Sequence, residues 1–165
     1  MTGPGPQPSL QSRLADALVE SGYRRAYGVP DSVLAPLLRQ TEQHIPLTHM
    51  PREDLAVGAA VGACLGGETA FVFMKNAGLG NSIDALLSLA RASQVPVSIV
   101  MGMSGTGGDT LPHHVAVGER ASAVLRAVGI RQRTLTPVEE PRSLAHWLHR
   151  NWMSRTSAAV LIPPG

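Results

Sequence analysis

The sequence predicts one α/β domain: an open, six-stranded, mostly parallel sheet with helices on both faces. Three observations carry this. Short apolar runs alternate with segments of helical apolar spacing along the whole chain. One run, Ala70 to Met74, is apolar without interruption, as in a parallel strand covered on both sides. Turn-forming clusters such as Pro30-Asp31-Ser32 and Asn76 to Asn81 punctuate the strand ends. At 165 residues the chain is long enough for one domain with a real core and too short for two ordinary ones.

Each element follows from local chemistry. Met1 to Pro8 is rich in Gly, Pro and Gln and reads as a loose tail, not a signal peptide; residues 9–165 form the single domain. Ser9 can cap a helix carrying Leu10, Leu14, Ala17 and Leu18, and Gly22 can end it. Arg25 to Val29 reads as a strand. Asp31 or Ser32 can cap a helix with Val33, Leu34, Leu37 and Leu38. Leu47 to Met50 is the second strand. A helix spans Glu53 to Leu65, and its Gly58 and Gly62 are tolerated if it packs very closely on a neighbour. After the Ala70 to Met74 strand, Asn76 to Asn81 reads as a Gly-rich loop and Ser82 opens a helix with Ile83, Leu86, Leu87 and Ala90 on one face. Val95 to Met101 is the fourth strand and Gly102 to Pro112 a long flexible loop. A helix over Arg120 to Val128, a strand near Arg131 to Leu135, a helix over Val138 to Trp152 and a strand at Ala158 to Ile162 complete the order.

Composition narrows the function. Apolar residues make up 44% and charged residues 16%, a globular balance. Net charge is +2, and the arginines are scattered without a basic or aromatic stripe, which argues against nucleic acid. No apolar run reaches membrane-spanning length. The one cysteine, Cys64, sits in an Ala/Gly-rich apolar stretch and reads as a small packed thiol, in keeping with a reducing cytoplasm.

In open parallel sheets, ligands meet the loops at the carboxyl ends of the strands. Four segments fall there: 28–32, 50–53, 76–81 and 102–114. Glu53 begins a helix. One reading is an acid facing water and complementing the helix dipole. The other is a partly buried carboxyl group whose pKa is raised, able to exchange a proton near neutrality. The stretch Asn76-Ala77-Gly78-Leu79-Gly80-Asn81 can cradle an anion or let a ring lie against backbone. It lacks the Gly-Lys-Ser/Thr ending of a phosphate loop and the dinucleotide glycine order. His113 and His114, adjacent and without a nearby Cys or Glu shell, argue against a metal site. On a mobile loop they could bond a substrate carboxylate or move protons. Asp31 is a turn or cap residue on position alone. His146 and His149, on the last helix, read as surface or packing residues.

Three segments carry a resemblance. Tyr27-Gly28-Val29-Pro30-Asp31-Ser32, Arg52 to Gly62 and Lys75 to Ser82 match, in order, the pyrimidine-binding domain of thiamine diphosphate enzymes. The nearest resemblance is to the phosphonopyruvate and sulfopyruvate decarboxylases, the latter at the alpha subunit of a split enzyme. It covers roughly residues 9–162. It implies the fold read from periodicity. It also implies that Glu53 takes the place of the catalytic glutamate, bonded to the pyrimidine ring nitrogen of thiamine diphosphate and stabilising its imino form. Asp31, His113 and His114 are placed like the family's acid/base groups, with His114 the closer match. Pro30, Asn76, Gly78, Leu79 and Asn81 would line the cofactor pocket.

Two departures follow. The Gly-Asp-Gly and Asn-Asn motif that binds magnesium and diphosphate is absent from this sequence. The resemblance therefore implies a beta subunit that supplies it, an active site at the subunit interface, and an α2β2 or higher hetero-oligomer. The loop after the fourth strand also lacks the Arg-Gly of the relatives and reads Gly102-Met103-Ser104-Gly105-Thr106. Lys75 or Arg52 could supply positive charge instead, or the substrate is another 2-oxo acid, with decarboxylation or carboligation as the outcome. A non-catalytic interaction domain and a small-ligand-binding module are the readings outside catalysis.

Overall fold

Alternation along β3 (Ala70–Lys75) sets the layers of the molecule. The computed structural model describes residues 8–164, so the tail expected at 1–8 lies almost wholly outside the described residues, as does Gly165. Val72 and Met74 point into one apolar cluster and Phe71 and Phe73 into another, on the opposite face of the sheet. Among the described residues six strands run in the order β2-β1-β3-β4-β6-β5, and every pairing is parallel. The other strands are β1 (Arg25–Gly28), β2 (Leu47–His49), β4 (Ser98–Gly102), β5 (Arg131–Thr134) and β6 (Ala158–Ile162).

Helices cover both faces. On one lie α1 (Leu10–Glu20), α2 (Ala35–Thr41) and α6 (Pro141–Met153), contributing Leu14, Leu37 and Leu148 to the core. On the other lie α3 (Glu53–Leu65), α4 (Leu79–Asp84) with its π-helical continuation Ala85–Arg91, and α5 (Pro112–Ala127). These bury Val57, Leu86 and Leu125. Ser9 caps α1 by accepting a bond from the Ser12 amide at 3.1 Å. Among the described residues no helix is long and apolar enough to cross a membrane. His149 packs its ring against Trp152 and edge-on to Tyr23, and Trp152 donates to the Cys64 sulfur at 3.3 Å.

The strand order places the cleft. From β1 the chain goes outward to β2, then returns to lay β3 and β4 on the other side of β1. The loops leaving β1 and β3 therefore diverge at the sheet's reversal point, where open α/β sheets bind ligands.

Three expectations are corrected. Residues 76–81 are not an open loop: Asn76–Gly78 forms a 3-10 turn that runs directly into α4. Leu79, only 2% exposed, anchors this turn in the core, and the Ser82 hydroxyl donates back to the Gly78 carbonyl at 3.0 Å. Core burial thus overrides the loop preference of two glycines. Next, α5 starts at Pro112 rather than Arg120, so the long loop ends earlier and His113 and His114 ride on a helical turn. Proline at a first helical position loses no internal bond there. Finally, Gly58 and Gly62 have no close neighbour within the chain. A side chain at Gly62 would meet open space, and one at Gly58 only the tip of Leu89 at 4.0 Å.

One buried polar pair ties the layers together. The Tyr23 hydroxyl bonds the Ser98 hydroxyl at 2.7 Å inside the core. Burial pushes the phenol far above its ordinary pKa, so it stays neutral, and the Ser98 bond opposes that shift only partly. Tyr23→Phe should cost about 1–3 kcal/mol, because Ser98 would be left without a partner. Urea unfolding checks this, and Tyr23→Phe with Ser98→Ala should recover most of the loss.

Candidate active site

Glu53 is the first residue of α3, preceded by Arg52 in extended conformation. The helix start aims its partly buried side chain across the mouth of the cleft to the turn after β3. The carboxylate lies flat on Gly78, where any side chain would collide with its Cγ, Cδ and Oε1. The Asn81 amide donates to Oε2 at 3.0 Å. Glycine at 78 is thus required by close approach, and Gly78 and Asn81 jointly fix the orientation of the acid.

Asp31 occupies the turn after β1. Its Oδ2 accepts the Val33 amide at 3.1 Å, the turn role read from position. The same oxygen rests over Gly102, the last residue of β4, where a Cβ would strike it. Lys75 is the register partner of Gly102. Asp31 and Lys75 therefore sit over neighbouring strand ends on one face of the sheet.

A second polar chain crosses the cleft from the β4–α5 connection. His114 Nδ1 lies 2.7 Å from Asp109 Oδ2, and its Nε2 lies 3.3 Å from Lys75 Nζ. Asp109 also accepts the Gly105 and Leu111 amides, at 3.0 and 3.3 Å. The Gly105 amide, then His114, hold its carboxyl below the usual carboxylate range against the desolvation that opposes them. His114 thus lies between an acceptor, the Asp109 carboxyl, at Nδ1 and a donor, Lys75 Nζ, at Nε2.

The expected site residues divide. Glu53, Gly78 and Asn81 meet, and Asp31, Lys75 and His114 line the neighbouring strand ends. Asn76 and Leu79 do not line the cleft. Asn76, 1% exposed, gives its amide to the Ser104 carbonyl at 2.9 Å and takes the Ser104 amide and hydroxyl. It ties the end of β3 to the β4 loop, while Leu79 is core. Pro30 and His113 are exposed on the rim, and His113 packs its ring on His114 at 4.4 Å between centroids. Among the described residues no cluster of His, Cys, Asp and Glu could hold a metal ion.

Sequence reasoning missed Asp109 and Ser104. Asp109 carried a usable signal, being the sole charged residue between Gly102 and Pro112. A different groove, lined by Leu86, Arg91, Val128 and Thr156, opens at the opposite, amino end of the strands and touches none of these groups.

Residues 9–132 match the thiamine pyrophosphate enzyme family at its N-terminal TPP binding domain. The chain is 30% identical over 146 residues to the sulfopyruvate decarboxylase subunit alpha of Methanothermobacter thermautotrophicus, covering 87% of this chain and 88% of that one. It is 32% identical over 107 residues to the phosphonopyruvate decarboxylase of Streptomyces viridochromogenes, covering 62% of this chain and 27% of that one. In fold it resembles the 2-oxoglutarate:ferredoxin oxidoreductase of Magnetococcus marinus, with a TM-score of 0.74 at 14% identity, over 94% of this chain and 29% of that one. The chain belongs to the thiamine pyrophosphate enzyme family, through its N-terminal cofactor-binding domain.

Proposed function

We propose that this chain is the alpha-type subunit of a split thiamine diphosphate-dependent decarboxylase acting on a small 2-oxo acid of the sulfopyruvate or phosphonopyruvate kind. The observation that carries the reading is the carboxyl group of Glu53, fixed on Gly78 by Asn81 at the sheet's reversal point. That arrangement fits an aminopyrimidine. A carboxyl group held in one orientation at the cleft mouth can bond a ring nitrogen, and Gly78 is what lets that group lie against the turn. When bound, the cofactor supplies the carbon nucleophile and the electron sink.

The chain's own residues then have separate tasks. Glu53 holds a proton at its carboxyl group for the ring nitrogen. Asn81 keeps it from rotating away. Asp31 and His114 stand over the neighbouring strand ends, within the same mouth, as groups able to move a proton to or from a reacting substrate. Asn76 holds the β3 turn and the β4 loop together so that these positions do not drift.

A beta subunit would complete the site by binding magnesium and the diphosphate. Its docking face is the outer side of α3 and the π-helix, where Leu55, Gly58, Gly62, Leu65 and Leu89 line an apolar strip without a cover in this chain. Small residues at Gly58 and Gly62 let another backbone approach closely, which answers why a helix tolerates them. We read the assembly as α2β2 or a multiple, in the cytoplasm.

Reconstitution tests the proposal. The chain, a beta subunit carrying the diphosphate motif, thiamine diphosphate and magnesium should release carbon dioxide from sulfopyruvate, with neither chain active alone. A complex that forms and turns over no 2-oxo acid would contradict it.

A further inference from the structure

The chain has 14 lysine and arginine side chains, and Lys75 is its only lysine. That lysine stands at the end of the central strand β3, three residues before the glycine on which Glu53 rests. Arg52, the arginine beside Glu53, is otherwise engaged. Arg52 is held in a two-pronged pair with Asp54, both bonds 3.1 Å, and is exposed. Among the described residues Lys75 makes no ion pair, and its side chain contacts His114 Nε2 at 3.3 Å. Among the described residues no carboxylate pairs with this partly buried Nζ, so a neutralising group would have to come from outside the chain.

We propose that Lys75 is the specificity-determining residue of the site, pairing its ammonium with a second acidic group on the substrate, remote from the carboxylate that is lost. The inference rests on the decarboxylase reading and deepens it by naming the residue that recognises the substrate's second acidic group, whether sulfonate, phosphonate or further carboxylate. Lysine suits this task over arginine. Its compact point charge and flexible stem can follow anionic groups of different shape. The Asp109–His114 pair positions it. Asp109 locks the His114 tautomer, so Nε2 presents a lone pair and steers the ammonium over the cleft. An incoming anion outcompetes that lone pair for Lys75. His114 Nε2 is thereby released to accept a proton beside the substrate, which links recognition to proton transfer.

The experiment uses the complex with its beta subunit, thiamine diphosphate and magnesium. One arm compares kcat/KM for sulfopyruvate and for pyruvate in wild type and Lys75→Met. The ratio should fall about 10- to 100-fold in the variant, the loss of one charge-assisted contact, chiefly through KM for sulfopyruvate. The other arm labels wild type with an amine reagent and follows the peptide holding Lys75 by mass spectrometry. Sulfoacetate, which cannot be decarboxylated as a 2-oxo acid, should protect Lys75, and acetate should not. Protection by neither, or an unchanged ratio in Lys75→Met, overturns the role of Lys75 while leaving the decarboxylase intact. A wild-type complex that decarboxylates neither acid overturns the proposed function, and this inference with it.

Discussion

Glu53→Gln is expected to lower turnover of the assembled enzyme roughly 10²- to 10⁴-fold, the range lost with a positioned acid–base group. The amide keeps the shape of the side chain, and its oxygen can still accept the Asn81 amide bond. What it lacks is an exchangeable acidic proton. Exchange of the cofactor's thiazolium proton for deuterium, followed by NMR after acid quench, should slow by a similar factor. Folding should change little. Glu53 sits in the first turn of α3, where its charge contributes only about 0.3–1 kcal/mol through the helix dipole. A large drop in melting temperature would instead mark it as a structural acid.

Gly78→Ala should produce a comparable defect by a different route. The new methyl group would occupy the space of the Glu53 carboxylate. A side-chain tip can rotate away, so the fold should survive with a small loss of stability. The acid itself would be moved by an ångström or more, and misplacement on that scale costs about 10²-fold in rate. Circular dichroism and the melting curve should match wild type closely while kcat falls. Gly80 is the internal control: a side chain there meets open space, so Gly80→Ala should leave the geometry of Glu53 unaltered.

The legible parts of the molecule were those fixed by local chemistry. The bounds of α3 follow from the switch at Glu53 from turn to apolar spacing and from Gly66 at its end. The continuous apolar run of β3 announced a strand covered on both faces, and the structure buries Ala70 to Met74 fully. The early start of α5 was hidden by Gly118, which breaks the apolar pattern. In the fold Gly118 is needed because the Ser104 and Gly105 backbone passes directly against it. The turn at Asn76 to Gly78 looked like a loop because its stability comes from Ser104, 28 residues away, and from burial of Leu79. No local pattern encodes such contacts. Asn76 was legible as part of the site region, but its role in joining two loops was not. Asp109 lacked any visible partner until α5 brought His114 beside it. Gly58 and Gly62 remain unexplained within one chain and gain a reason only from a docked companion.

The structure of the two-subunit complex with thiamine diphosphate bound would decide the matter. The account predicts the Glu53 carboxyl oxygen within hydrogen-bond reach of the pyrimidine ring nitrogen, with the companion subunit covering Leu55 and Leu89 and shutting water out. A Glu53 side chain left facing solvent, with the cofactor seated elsewhere, would contradict it.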